Sequence, residues 1–254
     1  SDDGNYLPTA TFDHIVALYD FDVQLSDLFI KYILIFEREI KSHISYYFSN
    51  EYPNSYHDYT NVNNYNYADE NNRIGILELV SILNSLRLGK KPEYISHYHK
   101  KHKGEIPLWV LIKNMSFGQI SKMYAFLTQK LQDQIANEFE VSNKELCCIL
   151  SFMTYFRNVC AHNERLYNFH TREELPETLY TSLEIPNNLT EPRNNLFSVV
   201  VCFYHILSET NFGVFLAELT DIIDAFSLGD CEVNKEQILK TMGFPNEWES
   251  LFSQ

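Results

Sequence analysis

Apolar side chains return every three or four residues along nearly the whole chain, and that period limits the fold more than any other feature. Between Phe12 and Phe48 they fall at Ile15, Leu18, Tyr19, Leu25, Leu28, Ile33, Phe36, Ile40, Ile44 and Phe48. A period near 3.6 turns one face of a helix towards a core, whereas strict alternation builds a sheet. No alternating run is long enough for a strand, and no internal repeat is found. The pattern predicts an all-α fold. Thr11 and Asp13 suit the start of the first helix, which runs as one long helix or as two with a bend near Asp22.

Punctuation places the remaining helices. Arg73 to Leu88 ends at Gly89, a good residue just past a helix end. Pro107 opens Leu108 to Asn114, Ser116 caps Phe117 to Thr128, and Lys130 to Phe139 follows. Ser142 with Glu145 forms a capping box for a helix from Asn143 to about His162. Asn194 to Ser208 and Phe212 to Phe226 are two further apolar helices. A second capping box, Asn234 with Gln237, opens the last helix, and Gly243 then Pro245 close it. Asn50 to Asn72 is crowded with Asn and Tyr, has almost no aliphatic residues, and reads as a long surface loop.

Charge narrows the function classes. Lys and Arg number 20 and Asp and Glu 34, a net charge of −14 with His neutral. So acidic a protein does not coat nucleic acid or anionic membrane over its whole surface. The most apolar run, Phe197 to Leu207, is too short to span a bilayer and carries His205. The opening SDDGNYLPTA lacks the basic-then-apolar order of a secretion signal and has no initiator Met. Cys147, Cys148, Cys160, Cys202 and Cys231 are odd in number and follow no framework spacing. They read as reduced core thiols, so the expected setting is the cytoplasm, without membrane.

One segment opposes the acidic balance. Arg87 to Lys103 reads RLGKKPEYISHYHKKHK and sets Arg87, Lys90, Lys91, Lys100, Lys101 and Lys103 against the single acid Glu93. Lys-rich runs form solvated faces, but they also track phosphates, here with Tyr94 and Tyr98 placed to stack on bases. Both readings stay open. His97, His99 and His102 lack the paired spacing of a zinc site, so no metal is expected. Glu37, Arg38 and Glu39 lie on the first helix, as exposed ion-pair formers or with Glu37 turned towards the Arg157 helix. No phosphate-binding glycine loop and no nucleophile elbow is present.

The segment Phe152 to Asn168, FMTYFRNVCAHNERLYN, holds the densest set of reactive residues. Arg157 and His162 lie five apart, about 140° around and roughly 7.5 Å along a helix, with Asn158 between the two directions. A phosphodiester needs a fixed cation to hold it and a titratable group to move a proton. Arg supplies the first and His the second. An Arg and a His at a helix C-terminus also complement the helix dipole. Spacing alone leaves both roles open.

The strings TFDHIVALYDFD, EREIKSHISYYF, HYHKKHKGEIPLWVLIKNMSFGQISKMYAFL and FRNVCAHNERLYN, in that order, resemble the Abi-like proteins of bacterial abortive infection, the AbiD/AbiF group. The resemblance runs from about Thr11 to Asn168. Its most specific parts lie between Trp109 and Tyr124 and between Arg157 and Asn168. It implies a helical bundle of HEPN type over residues 1–190, with C-terminal helices over 191–254 packing on the same core. In HEPN ribonucleases an R-x4–6-H motif is the active site, which here falls on Arg157, Asn158 and His162. The resemblance further implies cleavage without metal or other cofactor, a homodimer that sets two motifs face to face, and association with a small non-coding RNA. Many members read CAHH where this chain has Asn163, a change expected to bear on substrate preference. The chain also begins near an internal point of the family, so an N-terminal segment is expected to be missing.

The leading expectation is therefore a phage-defence endoribonuclease. Its RNA contacts would come from Lys90, Lys91, Lys100, Lys101, Lys103, Tyr98 and Arg165. The alternatives are a non-catalytic RNA-binding module and a protein-binding sensor.

Overall fold

Thr11 opens the first helix as its sequence suggests, its hydroxyl accepting the His14 N–H at 3.4 Å. From there α1 runs unbroken over Phe12–Glu51. The computed structural model describes residues 11–53, 56–89, 92–101, 105–181, 183, 192–228 and 234–252, with the backbone alone at His99. Among them all regular structure is helical, and the only extended pairing is an isolated bridge between Tyr65 and Leu127. After α1 come α2 (Tyr56–Tyr59), α3 (Arg73–Leu88), α4 (Glu93–Lys101), α5 (Leu108–Leu111), α6 (Phe117–Phe126) and α7 (Gln129–Asn137). The second half holds α8 (Asn143–Ala161), α9 (Thr178–Thr181), α10 (Leu196–Ile206), α11 (Glu209–Ala225) and α12 (Lys235–Thr241).

Two local expectations change, and one pair of alternatives is decided: the first segment is one long helix, with no bend at Asp22. Asp22 interrupts the apolar stripe because it faces inward to a polar partner, and the helix continues through it. Asn50 to Asn72 is not one surface loop. Glu51 still belongs to α1, and short helical turns at Tyr56–Tyr59, Val62–Asn64 and Glu70–Asn72 fold the segment, Asn61 and Asp69 capping the last two. Its tyrosines pack it: Tyr59 and Tyr65 are buried, the Tyr59 hydroxyl donates to the Ile106 carbonyl and that of Tyr65 to the Tyr59 carbonyl, both at 2.8 Å. Gly89 ends α3 in extended backbone (φ −61°, ψ 154°) and needs no left-handed turn.

The chain divides into two compact units, Ser1–Leu34 with Tyr155–Gln254, and Ile35–Thr154. The first is centred on an aromatic cluster. Phe215 of α11 meets Phe29, Tyr32 and Phe203 edge-on at 5.4, 5.1 and 4.8 Å. A buried aromatic pair of this kind contributes about 0.5–1.5 kcal/mol beyond its area. The second gathers Phe36 against Phe117 and Phe139, and Phe48 against Tyr65. Capping boxes open α6, α8, α10 and α12 at Ser116, Ser142, Asn195 and Asn234. Among the described residues no helix is long and apolar enough to cross a membrane.

Candidate functional site

In the first unit, the C-terminal turns of α8 carry the R-x4-H residues. Phe156, Val159 and Cys160 are buried, so the helix is fixed by one apolar face. Arg157 is half-buried beside that face, and Asn158 and His162 are exposed. The His162 N–H still donates to the Asn158 carbonyl at 3.0 Å, which holds His162 in register with the helix before it.

The helix end is a Schellman motif. Asn163 sits at φ +53° in the left-handed region. Its N–H donates to the Cys160 carbonyl and that of Glu164 to the Val159 carbonyl, at 3.4 and 3.1 Å. Asn is one of the few residues other than Gly that adopts this backbone readily. The Asn in this chain's variant of the string therefore has a backbone reason, which sequence alone did not reveal.

Asp22 anchors the turn after α8. Its carboxylate accepts the Tyr167 N–H at 2.7 Å and the Leu166 N–H at 3.0 Å. Burial pushes this carboxyl up from its ordinary value, while the two amides and the Arg165 charge draw it back down. Burial, with the Asp22 charge second, likewise pushes the Cys160 thiol up to about 12, so it stays protonated and inert. Phe169 packs edge-on against Phe156 at 5.1 Å and closes the turn onto α8. Asp22 was missed as a site residue. Its signal was present: it occupies an inward position of the stripe Leu18, Asp22, Leu25, Phe29, where an acid needs a partner.

The structure thus brings Arg157, Asn158, His162 and the exposed Arg165 onto one helix end and the turn beyond it. The other expected RNA contacts belong to the second unit. Lys100 and Lys101 are exposed on α4, Tyr98 is half-buried, and Lys90, Lys91 and Lys103 lie outside the described residues. Ile95 is buried and the Tyr94 hydroxyl donates to Asn114 at 2.8 Å, so Tyr94 is engaged rather than waiting for a base. Glu37 is buried and pairs with Lys41 at 2.7 Å, so it is not an exposed ion-pair former. Cys148 is exposed and Cys147 half-buried, which corrects the reading of these two as core thiols.

The sequence of residues 1–168 matches the protein family described as Abi-like protein. The chain belongs to the Abi-like protein family. That family is the one named for abortive infection, the phage-defence response in which an infected cell halts. No curated protein and no solved structure matches the chain.

Proposed function

We propose that this Abi-like protein is a metal-independent endoribonuclease of HEPN type, acting in the cytoplasm as a homodimer. The observation that carries the reading is the pairing of half-buried Arg157 with exposed His162 at the end of α8, inside the family match. A guanidinium anchored beside a packed face holds a phosphate at a fixed place. An exposed imidazole reaches a ribose hydroxyl.

The chemistry balances without a cofactor. His162 takes the proton of a 2′-hydroxyl as that oxygen attacks the adjacent phosphorus. The P–O5′ bond breaks, and an imidazolium, in a dimer the second copy of His162, gives its proton to the leaving 5′-oxygen. The products are a 2′,3′-cyclic phosphate and a 5′-hydroxyl. Arg157 offsets the charge that builds on the phosphoryl oxygens. Asn158 orients His162 or binds the phosphate. The exposed Arg165, with Lys100 and Lys101 of α4, supplies sequence-independent attraction to the RNA backbone.

The test is cleavage of mixed end-labelled RNAs in EDTA by the full chain and by Arg157→Ala, His162→Ala and the double variant. Each single change is expected to slow cleavage by at least about 10²-fold, with cyclic phosphate ends on the wild-type products. Smaller losses from both singles would remove these residues from the chemistry. Wild-type protein that retains RNA in a gel shift without cutting it would leave a binding module, partnered by a small non-coding RNA. Size measurement in solution tests the dimer.

A further inference from the structure

Two strings of the sequence are not used by that mechanism, and they converge in the second unit. EREIKSHIS spaces Arg38, Lys41, Ser42 and Ser45 at three, four and seven along α1, which sets them on one helix face. PLWVLIK spaces Trp109 and Lys113 four apart across α5 and the 3₁₀ turn Ile112–Asn114. These six residues and Ile112 line one groove of about 530 Å³. Lys41 ties its two walls: its ammonium donates to Glu37 and to the Met115 carbonyl, both at 2.7 Å.

The chemistry of the groove is unusual for this acidic chain. Glu37 offsets the charge of Lys41. Arg38 and Lys113 are exposed, and no ion pair engages either among the described residues. Trp109 is 52% exposed, whereas the other tryptophan, Trp248, is 4% exposed. The Lys113 ammonium lies 5.6 Å from the Trp109 ring centroid. Trp109 also lines a second groove of about 250 Å³, walled by Tyr52, Pro53, Tyr59 and Pro107. An indole left open between two grooves, with two cations beside it, offers a stacking plane and an anion site together.

We propose that this groove binds single-stranded RNA, with one base stacked on Trp109 and the flanking phosphates on Arg38 and Lys113. Every nucleotide joins a flat π-face to a negative charge a few ångströms away, a pairing that an acidic peptide makes only where an aromatic residue neighbours the acid. The choice of RNA over DNA rests on the proposed function; the stacking and phosphate contacts do not. All the groove residues lie within Ile35–Thr154, whereas Arg157 and His162 belong to the other unit, so binding here requires no cleavage.

The experiment titrates octauridylate into the full chain carrying Arg157→Ala/His162→Ala, in EDTA, and reads tryptophan emission. Emission is expected to quench, and Trp109→Phe in the same background to abolish the change, because Trp248 is shielded. By anisotropy of a labelled octauridylate, Trp109→Ala is expected to weaken binding about tenfold. Arg38→Ala/Lys113→Ala is expected to flatten the salt slope by about 1.4, at roughly 0.7 per phosphate contact on a single strand. All three side chains are exposed, and thermal melts are the check that the variants fold. Unchanged emission, or an unchanged slope in Arg38→Ala/Lys113→Ala, overturns the proposal. Equal quenching by polyglutamate overturns it in favour of an acidic protein partner. Wild-type protein that fails to cut while Trp109 still quenches loses the ribonuclease reading and keeps the groove. Cutting without quenching does the reverse.

Discussion

Asp22 shows how one residue far away in sequence shapes the end of α8. Its carboxylate takes up the two backbone N–H groups of Leu166 and Tyr167 that the turn after the helix leaves over. Asp22→Ala strands both donors and is expected to cost about 1–3 kcal/mol in urea unfolding. Asp22→Asn keeps one acceptor oxygen and is expected to cost less. Burial raises the folded-state pKa of this acid above its ordinary 3.8. Its contribution to stability is therefore greatest at low pH, falls as pH rises from 3.8 through the folded value, and is constant above. The gap between wild type and Asp22→Asn should narrow with rising pH over that window in urea titrations; a gap that widens contradicts the burial argument. Two of the left-handed helix ends differ in a testable way. Gly243 lies at φ +83°, and a Cβ there would stand 2.0 Å from the Nδ2 of Asn195, the buried cap of α10. Gly243→Ala adds left-handed strain to this clash and is expected to lose about 2 kcal/mol or more. Asn163→Gly, exposed and already left-handed, should stay within about 0.5 kcal/mol, both changes being read by urea unfolding.

At the scale of elements, legibility followed the strength of local signals. The cap at Ser116, the capping boxes on Ser142 and Asn234 and the stop at Gly243 reside in short spans of sequence and were readable as such, while the Gln119 half of the Ser116 box appears only in the structure. The turns of Asn50 to Asn72 were not, because tyrosines there act through tertiary burial and distant carbonyls rather than through any period. The core face of α1 was legible as a stripe, yet Ile15 and Tyr19 of that stripe are exposed. Within the first unit α1 and α11 are also tied by charge. Glu218 accepts from Lys31 at 2.7 Å and from the Tyr32 hydroxyl at 3.0 Å. The Lys31 hydrogen bond holds the Glu218 carboxyl below its ordinary 4.5, and Glu218 in turn holds Lys31 above 10.5. The tie is thus present between these values, lost as pH falls below 4.5 and lost again as it rises beyond 10.5. Both groups are well exposed, so Glu218→Gln is expected to cost no more than about 1 kcal/mol at pH 7, and progressively less in urea unfolding as pH falls below 4.5.

For the whole molecule, charge sets two effects of opposite sign. The motif of Arg157 and His162 was readable as a string, but the cations around Trp109 were not, since their spacing is ordinary and only the fold gathers them. Every one of these cations operates in the field of a chain whose net charge is −14. Such a chain repels itself when compact, and salt screens that repulsion over about 10 Å at 0.1 M. Raising salt from 10 to 150 mM is therefore expected to raise the melting temperature. The same salt weakens the hold of Arg38, Lys113, Arg165, Lys100 and Lys101 on phosphates, because releasing counterions into a saltier solution gains less. RNA affinity should fall over the range in which stability rises. Melting curves and anisotropy on one set of samples measure both. Affinity that holds steady while the melting temperature climbs would mean that stacking, on Trp109 above all, rather than charge carries the RNA.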